Sequence, residues 1–224
     1  MLTQCPNPKC KLSFEVPDQR EGKNGPCPAC GQIITFRSMA LLKEIELQHQ
    51  KRIKQQSANA EGVREPVQFS ALLEDIRSLW NVGSIFRSAD GSGFERLYLC
   101  GITGCPPHKS IAKTSLGAED HVAWSHHQKA FDVLPDLKNQ GVQIVALEKN
   151  ESSEPLDEVL KQKRIRAPLC LVAGNEVAGI SAETLSLASV VCHLPMRGIK
   201  ASLNVAVAFG IAAYDIRARA EITS

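Results

Sequence analysis

The segment His193–Ile216, HLPMRGIKASLNVAVAFGIAAYDI, decides the fold because it joins an apolar strand to an apolar helix through a polar loop. Its composition predicts a tight turn at Pro195 and Gly198 between the two elements. Ser202 is the predicted N-cap, since its hydroxyl can accept hydrogen bonds from the N–H groups that open a helix. Asn204 is a poor helix former in the first turn of an otherwise apolar helix. A buried helix start with free N–H groups suits a ligand that carries acceptors, so we predict a binding site here.

The composition predicts one well-sized domain, a small additional module and no membrane segment. The 224 residues are 43% hydrophobic and 22% charged, which suffices for a real core. The longest apolar run, Val205–Tyr214, is far shorter than the ~20 residues that span a bilayer. Residues 1–10 lack the apolar core of a secretion signal, so we expect a soluble, cytoplasmic protein.

Net charge alone predicts no polyanionic partner. The total is +2, of which +3 falls in residues 1–66 (10 Lys and Arg against 7 Asp and Glu) and −1 in residues 67–224 (16 against 17). A protein that grips many phosphates usually has a stronger bias or a concentrated basic patch. The best candidate patch is the group Lys161, Lys163, Arg164 and Arg166, for which a solvated turn is an equal alternative.

Two cysteine pairs near the N-terminus predict a zinc ribbon in residues 1–37. CPNPKC and CPAC are separated by sixteen residues and supply four thiolates, from Cys5, Cys10, Cys27 and Cys30. The cytosolic expectation argues against a disulfide pair, and the absence of a thioredoxin-like βαβ pattern argues against a redox CxxC site. So small a unit cannot fold on apolar burial alone, so a structural Zn would stabilise it.

Between the ribbon and the larger domain, residues 38–66 are predicted to form a helix and a linker. Ser38 caps a helix with a thin apolar stripe that continues to about Gln56 and has a basic C-terminal end. SANAEGVREP, residues 57–66, is polar and poor in helix formers, so we place the domain boundary there and the larger domain at 67–224.

Residues 67–224 alternate between apolar strands and helices. This alternation predicts an α/β fold with a parallel sheet that is covered by helices on both faces. We predict strands at 67–73, 96–101, 142–147, 169–173 and 190–194, with helices at 82–92, at 128–139 and after residue 202. Ligands of such sheets bind beyond the carboxyl ends of the strands, where the polar motifs lie.

Two further polar motifs precede the opening segment. The first, NVGSIFRSADGSG, begins at Asn81 and carries Arg87 six residues later; without context these are an N-cap and a surface arginine. The second, GNEVAGIS, begins at Gly174 directly after an apolar strand and carries Glu176. It lacks the Gly-Lys-Ser/Thr ending of a Walker A loop and the G-x-G-x-x-G dinucleotide pattern. Glu176 alone is equally explained as an acid near a helix start.

These two motifs, followed by LPMRGIKASLNV from Leu194, resemble the three ordered motifs of the SpoU/TrmH-type RNA 2'-O-ribose methyltransferases of the SPOUT superfamily. The resemblance covers residues 67–224 and does not extend to the ribbon. It implies an S-adenosylmethionine-dependent enzyme that acts on tRNA or rRNA. It also implies a C-terminal trefoil knot, an exception to unknotted topology. A homodimer is implied as well, in which motif 1 of one subunit completes the site of the other.

The resemblance assigns roles to individual residues. It implies a catalytic set made of Asn81, Arg87, Glu176, Ser202 and Asn204. Because an arginine is a poor base, a grip on phosphate and stabilisation of an alkoxide is the physically favoured role for Arg87. The implied cofactor-binding residues are Ala146, Leu147, Gly174, Leu194, Met196 and Leu203. The alternative from another class is a non-catalytic RNA-binding adaptor that keeps the fold.

Overall fold

A computed structural model describes residues 1–5, 9–20, 23–36, 38–40 and 67–222. The chain divides into two compact units, 1–62 and 63–224. The predicted helix that begins at Ser38 and the predicted linker fall largely in 41–66, outside the described residues.

The described part of the first unit contains two short hairpins. Strand β1 (Leu2–Gln4) pairs antiparallel with β2 (Ser13–Glu15), and β3 (Asn24–Pro26) pairs antiparallel with β4 (Ile33–Thr35). A single 3-10 turn, Asp18–Arg20, follows the first hairpin. The buried cluster of the described part is small and consists of Cys5, Val16, Cys27, Ile34 and Phe36. Two of these five side chains are cysteines, so apolar burial contributes little to this unit.

The second unit contains a parallel sheet of seven strands. In chain order they are β5 (Phe69–Glu74), β6 (Arg96–Cys100), β7 (Ala123–His127), β8 (Gln143–Leu147), β9 (Glu154–Pro155), β11 (Leu169–Ala173) and β12 (Val190–His193). The spatial order is β7-β6-β5-β11-β8-β12-β9, and every pairing is parallel. Two short strands, β10 (Arg166–Ala167) and β13 (Glu221–Ile222), pair separately with each other.

Helices cover both faces of this sheet, as predicted. They are α1 (Leu79–Ser92), α2 (Lys109–Ser115), α3 (Leu134–Asn139), α4 (Leu156–Lys161), α5 (Ala182–Leu187) and α6 (Val205–Arg219). The larger core joins one sheet face to α1, α2, α4 and α6, and the smaller core joins the other face to α3 and α5. Alternate residues of β5 separate accordingly, since Ala71 belongs to the larger core and Leu72 to the smaller.

Several local predictions need correction. Asn204, not Ser202, is the N-cap of α6, because its Oδ1 accepts from the N–H groups of Ala206 (2.9 Å) and Val207 (3.4 Å). The residues before α6 are exposed, so its start is not buried within one chain. The predicted helix over 128–139 is a 3-10 turn, Ala130–Asp132, followed by the short α3. Helix α2 and strand β7 were not predicted.

Strand β12 is inserted between β8 and β9, although those two strands are joined directly by residues 148–153. The connecting segment therefore arches past the end of β12. The N–H of Glu148 donates to the carbonyl of Cys192 (2.9 Å), and Ser153 Oγ lies 2.9 Å from His193 Nδ1 in a hydrogen bond. The chain that leaves β12 then continues as the irregular segment 194–204 into α6.

Three buried cysteines are ordinary core residues. Burial raises the pKa of Cys100, Cys170 and Cys192 to about 12, so these thiols stay protonated at neutral pH. Across the described residues, no helix combines the length and apolar character that a bilayer crossing requires.

Candidate active site

A cavity of about 470 Å³ lies at the carboxyl ends of β8, β11 and β12. Its walls come from 147–149, from the loop after β11, and from the segment between β12 and α6. Such a position at the strand ends is where parallel α/β sheets bind ligands, and the volume suits a cofactor-sized molecule. Eight residues that were predicted from the sequence line it: Leu147, Gly174, Glu176, Leu194, Met196, Ser202, Leu203 and Asn204.

Three other predicted site residues lie outside the lining. Ala146 is fully buried in the smaller core, one residue behind Leu147. Asn81 and Arg87 are on α1, and Arg87 is exposed with no hydrogen bond or ion pair to any described residue. Within a single chain, therefore, the arginine of the first motif does not line the cavity.

The loop after β11 is a tight turn held by its own atoms. The backbones of Asn175 and Gly179 exchange two hydrogen bonds, of 3.1 and 2.9 Å. Asn175 Oδ1 accepts from the N–H groups of Val177 and Ala178, both at 2.9 Å. A Cβ at Gly174 would collide with the backbone of Gly179 and Ile180. Glycine is thus required at 174 for closure of the turn itself.

Two carboxylates anchor this loop from outside, and sequence analysis did not single out the first of them, Glu74, as a site residue. Glu74, buried at the end of β5, accepts from Ser181 N (3.0 Å), Ser181 Oγ (2.8 Å) and Thr184 Oγ1 (2.8 Å). Glu148 accepts from the N–H of Ile180 at 2.9 Å. No sequence motif marks these contacts, because Glu74 lies 107 residues from Ser181. The one sequence feature that could have indicated a role for Glu74 is its position as an acidic residue at the end of an apolar strand.

A chain of polar contacts connects all three motifs. Glu176 Oε1 accepts from Asn81 Nδ2 (2.8 Å), and Asn81 Oδ1 accepts from Asn204 Nδ2 (3.1 Å). Glu176 also accepts from the N–H groups of Arg77 (3.0 Å) and Ser78 (3.2 Å), just before α1. Ser78 is the N-cap of α1, so Asn81 occupies the first turn and is not the cap.

These hydrogen bonds set the charge state of Glu176. Partial burial raises its pKa, but the donors from Arg77, its own N–H, Asn81 and Ser78 lower it further than burial raises it. The net pKa lies below the usual glutamate value, so the group is a carboxylate at neutral pH. The three motifs therefore meet at a fixed negative charge on the rim of the cavity.

In the first unit, the four predicted cysteines form one cluster. Their Sγ atoms all lie within 4.8 Å of one another, with Cys5 and Cys30 at 3.7 Å and Cys10 and Cys27 at 3.8 Å. Tetrahedral Zn with Zn–S bonds of about 2.3 Å requires sulfurs about 3.8 Å apart, so the cluster fits that metal. Backbone donors from Cys30 and Ala29 lower the pKa of Cys27 to about 7, which favours the thiolate.

The sequence profile of the SpoU rRNA Methylase family matches residues 68–214. The chain belongs to this family. It is 28% identical over 152 residues to tRNA (guanosine(18)-2'-O)-methyltransferase of Escherichia coli K12, covering 68% of this chain and 63% of that enzyme. It is 31% identical over 148 residues to the protein of the same name from Aquifex aeolicus, covering 66% and 68%.

A solved structure gives the same placement for this SpoU-family unit. The AdoMet-bound rRNA methyltransferase from Sinorhizobium meliloti superposes with a TM-score of 0.61 and 26% identity, over 69% of this chain and 57% of that chain. The parallel sheet with helices on both faces is therefore the fold that the motifs predicted. The chain spans less than two thirds of the E. coli enzyme, and the family profile lies within the larger unit.

Proposed function

We propose that this chain transfers a methyl group from S-adenosylmethionine to a ribose 2'-hydroxyl of tRNA or rRNA. The observation that carries the proposal is the hydrogen-bonded chain Glu176–Asn81–Asn204, which joins the three family motifs at the rim of the cavity. The names of the relatives, which are RNA 2'-O-methyltransferases, support the same reaction. Enzymes with such substrates work where these RNAs are, so a cytoplasmic location goes with the proposal.

The cavity fits the methyl donor, which supplies an activated methyl group when bound. Apolar side chains of Leu147, Leu194 and Met196 and the backbone at Leu203 would hold its adenosyl and methionine parts. The loop that begins at Gly174 would close one wall, with Glu74 and Glu148 fixing its position. Ala146 would support this wall from behind Leu147.

Arg87 would act on the RNA. Its guanidinium is cationic at every physiological pH and can grip a phosphate through two N–H donors. The same cation would stabilise the negative charge that develops on the 2'-oxygen as its proton leaves. Ser202 and Asn204 would orient the ribose at the rim, and Glu176 would hold Asn81 and α1 in place.

A homodimer accounts for the position of Arg87 outside the cavity lining. We infer that Arg87 of one subunit reaches the cavity of its partner. On α6, Val207, Ile211 and Tyr214 expose 50%, 47% and 55% of their surface at helical spacing. This apolar stripe is suited to burial against a second copy. The trefoil knot belongs to the same proposal, supported by the insertion of β12 between β8 and β9.

The cysteine cluster is proposed to hold a structural Zn, and no catalytic role is proposed for that metal. The support is the sulfur spacing and the small apolar core of the first unit.

The test is transfer of labelled methyl from S-adenosylmethionine into total tRNA and into rRNA, followed by nuclease digestion. We expect label in a 2'-O-methyl nucleoside, with Arg87→Ala reducing transfer by about 10²-fold or more, as for loss of a charge-stabilising donor. Arg219→Ala is the matched control, because Arg219 is a partly exposed arginine near the end of α6 that pairs only locally with Asp215.

Calorimetric titration with S-adenosylmethionine separates the alternatives. No transfer together with no donor binding would refute the enzyme and favour an RNA-binding adaptor. Donor binding and transfer that Arg87→Ala leaves unchanged would refute the role of Arg87 while retaining the reaction.

A further inference from the structure

The exposed face of α1 carries an aromatic side chain in line with Arg87. Trp80 exposes 51% of its surface in the first turn of the helix. Arg87 follows Trp80 by seven positions, which is nearly two full helical turns. Both side chains therefore lie on one face of the helix, about 10 Å apart. Ser84, one turn after Trp80, is small and leaves the face between them open.

Close packing of α1 against α2 places a lysine beside the indole. A Cβ at Gly83 would collide with the Thr114 side chain and the Ile111 carbonyl, so only glycine permits this approach. Thr114 Oγ1 donates to the carbonyl of Trp80 at 3.1 Å, and Lys113 Nζ lies 5.6 Å from the centre of the indole ring. The backbone of Trp80 is therefore held by α2, while the outer surface of its indole ring stays accessible.

The charge around the indole differs from that of the basic group predicted at 161–166. There, Lys161 pairs with Asp157 and Arg164 pairs with Glu154, at 3.1 and 2.6 Å. In contrast, no ion pair among the described residues involves Arg87 or Lys113, and both side chains are exposed. Unpaired cations beside an exposed aromatic ring are suited to single-stranded nucleic acid, because the cations can bind its phosphates and the ring can stack on its bases.

We propose that Trp80 is the stacking platform for an unpaired base of the substrate RNA, and that Lys113 contacts the phosphate beside that base. This inference rests on the proposed function for its substrate, and it adds residues that lie outside the three family motifs. Stacking tolerates any base, so Trp80 would bind and orient the strand while the motif residues select the ribose. Trp80 is in this sense a substrate-binding residue that does not take part in the chemistry.

The two tryptophans of the chain allow a direct readout. Trp124 is 9% exposed in the larger core, and Trp124→Phe leaves Trp80 as the single indole. We expect short oligoadenylate, and tRNA more strongly, to quench Trp80 fluorescence in that variant. S-adenosylmethionine alone should not quench it. An unchanged emission at RNA concentrations that saturate binding in a gel-shift assay would overturn the proposal.

Variants then test the energetic contribution. Trp80→Ala should weaken RNA binding and raise the KM for RNA by about 10-fold, the equivalent of one stacked base, with kcat and donor affinity close to wild type. Trp80→Phe should recover most of this loss. Phe131→Ala is the matched control, because Phe131 is an aromatic residue of similar exposure (55%) in a different part of the second unit.

Salt dependence tests the phosphate contact separately. Lys113→Gln should reduce the slope of log K against log salt by about 1, whereas Lys161→Gln should leave the slope unchanged because Lys161 is paired with Asp157. An equal slope change in both variants would refute a specific contact by Lys113.

Sedimentation of Trp80→Ala distinguishes an RNA platform from a surface that a second copy covers. Dissociation of the variant, with RNA binding lost only as a consequence, would overturn the proposal in favour of a subunit interface. RNA quenching without any methyl transfer would support the platform while refuting the proposed reaction, so the two failures are distinguishable.

Discussion

The two units of this chain differ in how much apolar surface they bury. The second unit buries long apolar strands on both faces of its sheet, including every residue of β11. The described part of the first unit buries five apolar side chains, and two of them are cysteines of the cluster. Because burial contributes about 25 cal/mol per Å² of apolar surface, the five apolar side chains of the described hairpins are too few to fold them on a core alone. The contrast predicts that these hairpins depend on the cysteine cluster.

The largest predicted effect is that loss of Zn unfolds the hairpins of the first unit and leaves the second unit folded. Zn chelation, or Cys27→Ser, should abolish protection of backbone amides from hydrogen exchange in the described hairpins, because Zn sites of this kind supply about 10 kcal/mol or more. Protection in β5 and β11 should stay unchanged. Cys105→Ser is the control, since Cys105 lies outside the cluster. Elemental analysis of this variant should still find one Zn per chain. Equal loss of protection in both units would contradict the comparison.

A core truncation should have the reverse pattern. Phe209 on α6 is fully buried and packs edge-on against Phe94 with ring centres 5.8 Å apart. Phe209→Ala should lower the free energy of unfolding of the second unit by about 3–5 kcal/mol, measured by urea denaturation. Metal content should not change. Phe131→Ala, at an exposed phenylalanine of the same unit, is the matched substitution and should cost less. Loss of Zn in Phe209→Ala would show that the units do not fold independently.

Within the second unit, the cavity loop depends on polar contacts more than on packing. Glu74→Gln keeps the shape but faces donors from Ser181 and Thr184 with a single acceptor oxygen. An unsatisfied buried donor costs about 1–3 kcal/mol. We expect a loss of that size in unfolding experiments and a higher KM for S-adenosylmethionine, with kcat retained. Glu183→Gln, at an exposed acid in the first turn of α5, should leave the KM unchanged.

The smallest effect is pH-dependent and concerns Glu176. Burial raises its folded-state pKa, but the N–H of Arg77, its own N–H and the Asn81 amide lower the pKa further, so its contribution to stability is present above the usual glutamate pKa of about 4.3. That contribution is lost as pH falls through the lower folded-state pKa. The stability difference between wild type and Glu176→Gln should therefore be constant near neutrality and shrink below about pH 4. A difference that grows on acidification would mean that the pKa is raised.

The sequence alone was sufficient to predict those features whose pattern lies within a short stretch of chain. Strand β11 coincides with the predicted 169–173, because a run of five apolar residues ends at a glycine. The four cysteines were found for the same reason, since metal ligands of a ribbon occur as closely spaced pairs. Eight of the predicted site residues line one cavity because the motifs follow strand ends that the parallel sheet brings to one edge.

Sequence failed where the partner of a residue is distant. Asn204 and Ser202 are both good N-caps, and the choice between them depends on Asn81, which lies 123 residues away and contacts Asn204. The role of Glu74 depends on donors 107 residues away. Strand β7 was missed because its sequence, AWSHH, has no apolar run, and Pro135 at the start of α3 breaks the longer helix that was predicted.

The order of strands in the sheet has a consequence for biosynthesis. Strand β5 pairs with β11, whose first residue, Leu169, is aligned with Phe69, so the two partners are 100 residues apart. At about 5–20 residues per second, β5 waits on the order of 5–20 s after its own synthesis before β11 exists. During that interval an apolar strand edge is exposed, which is a condition that favours aggregation and engages chaperones. The cavity at the strand ends is complete only after β12 and the start of α6 have been made.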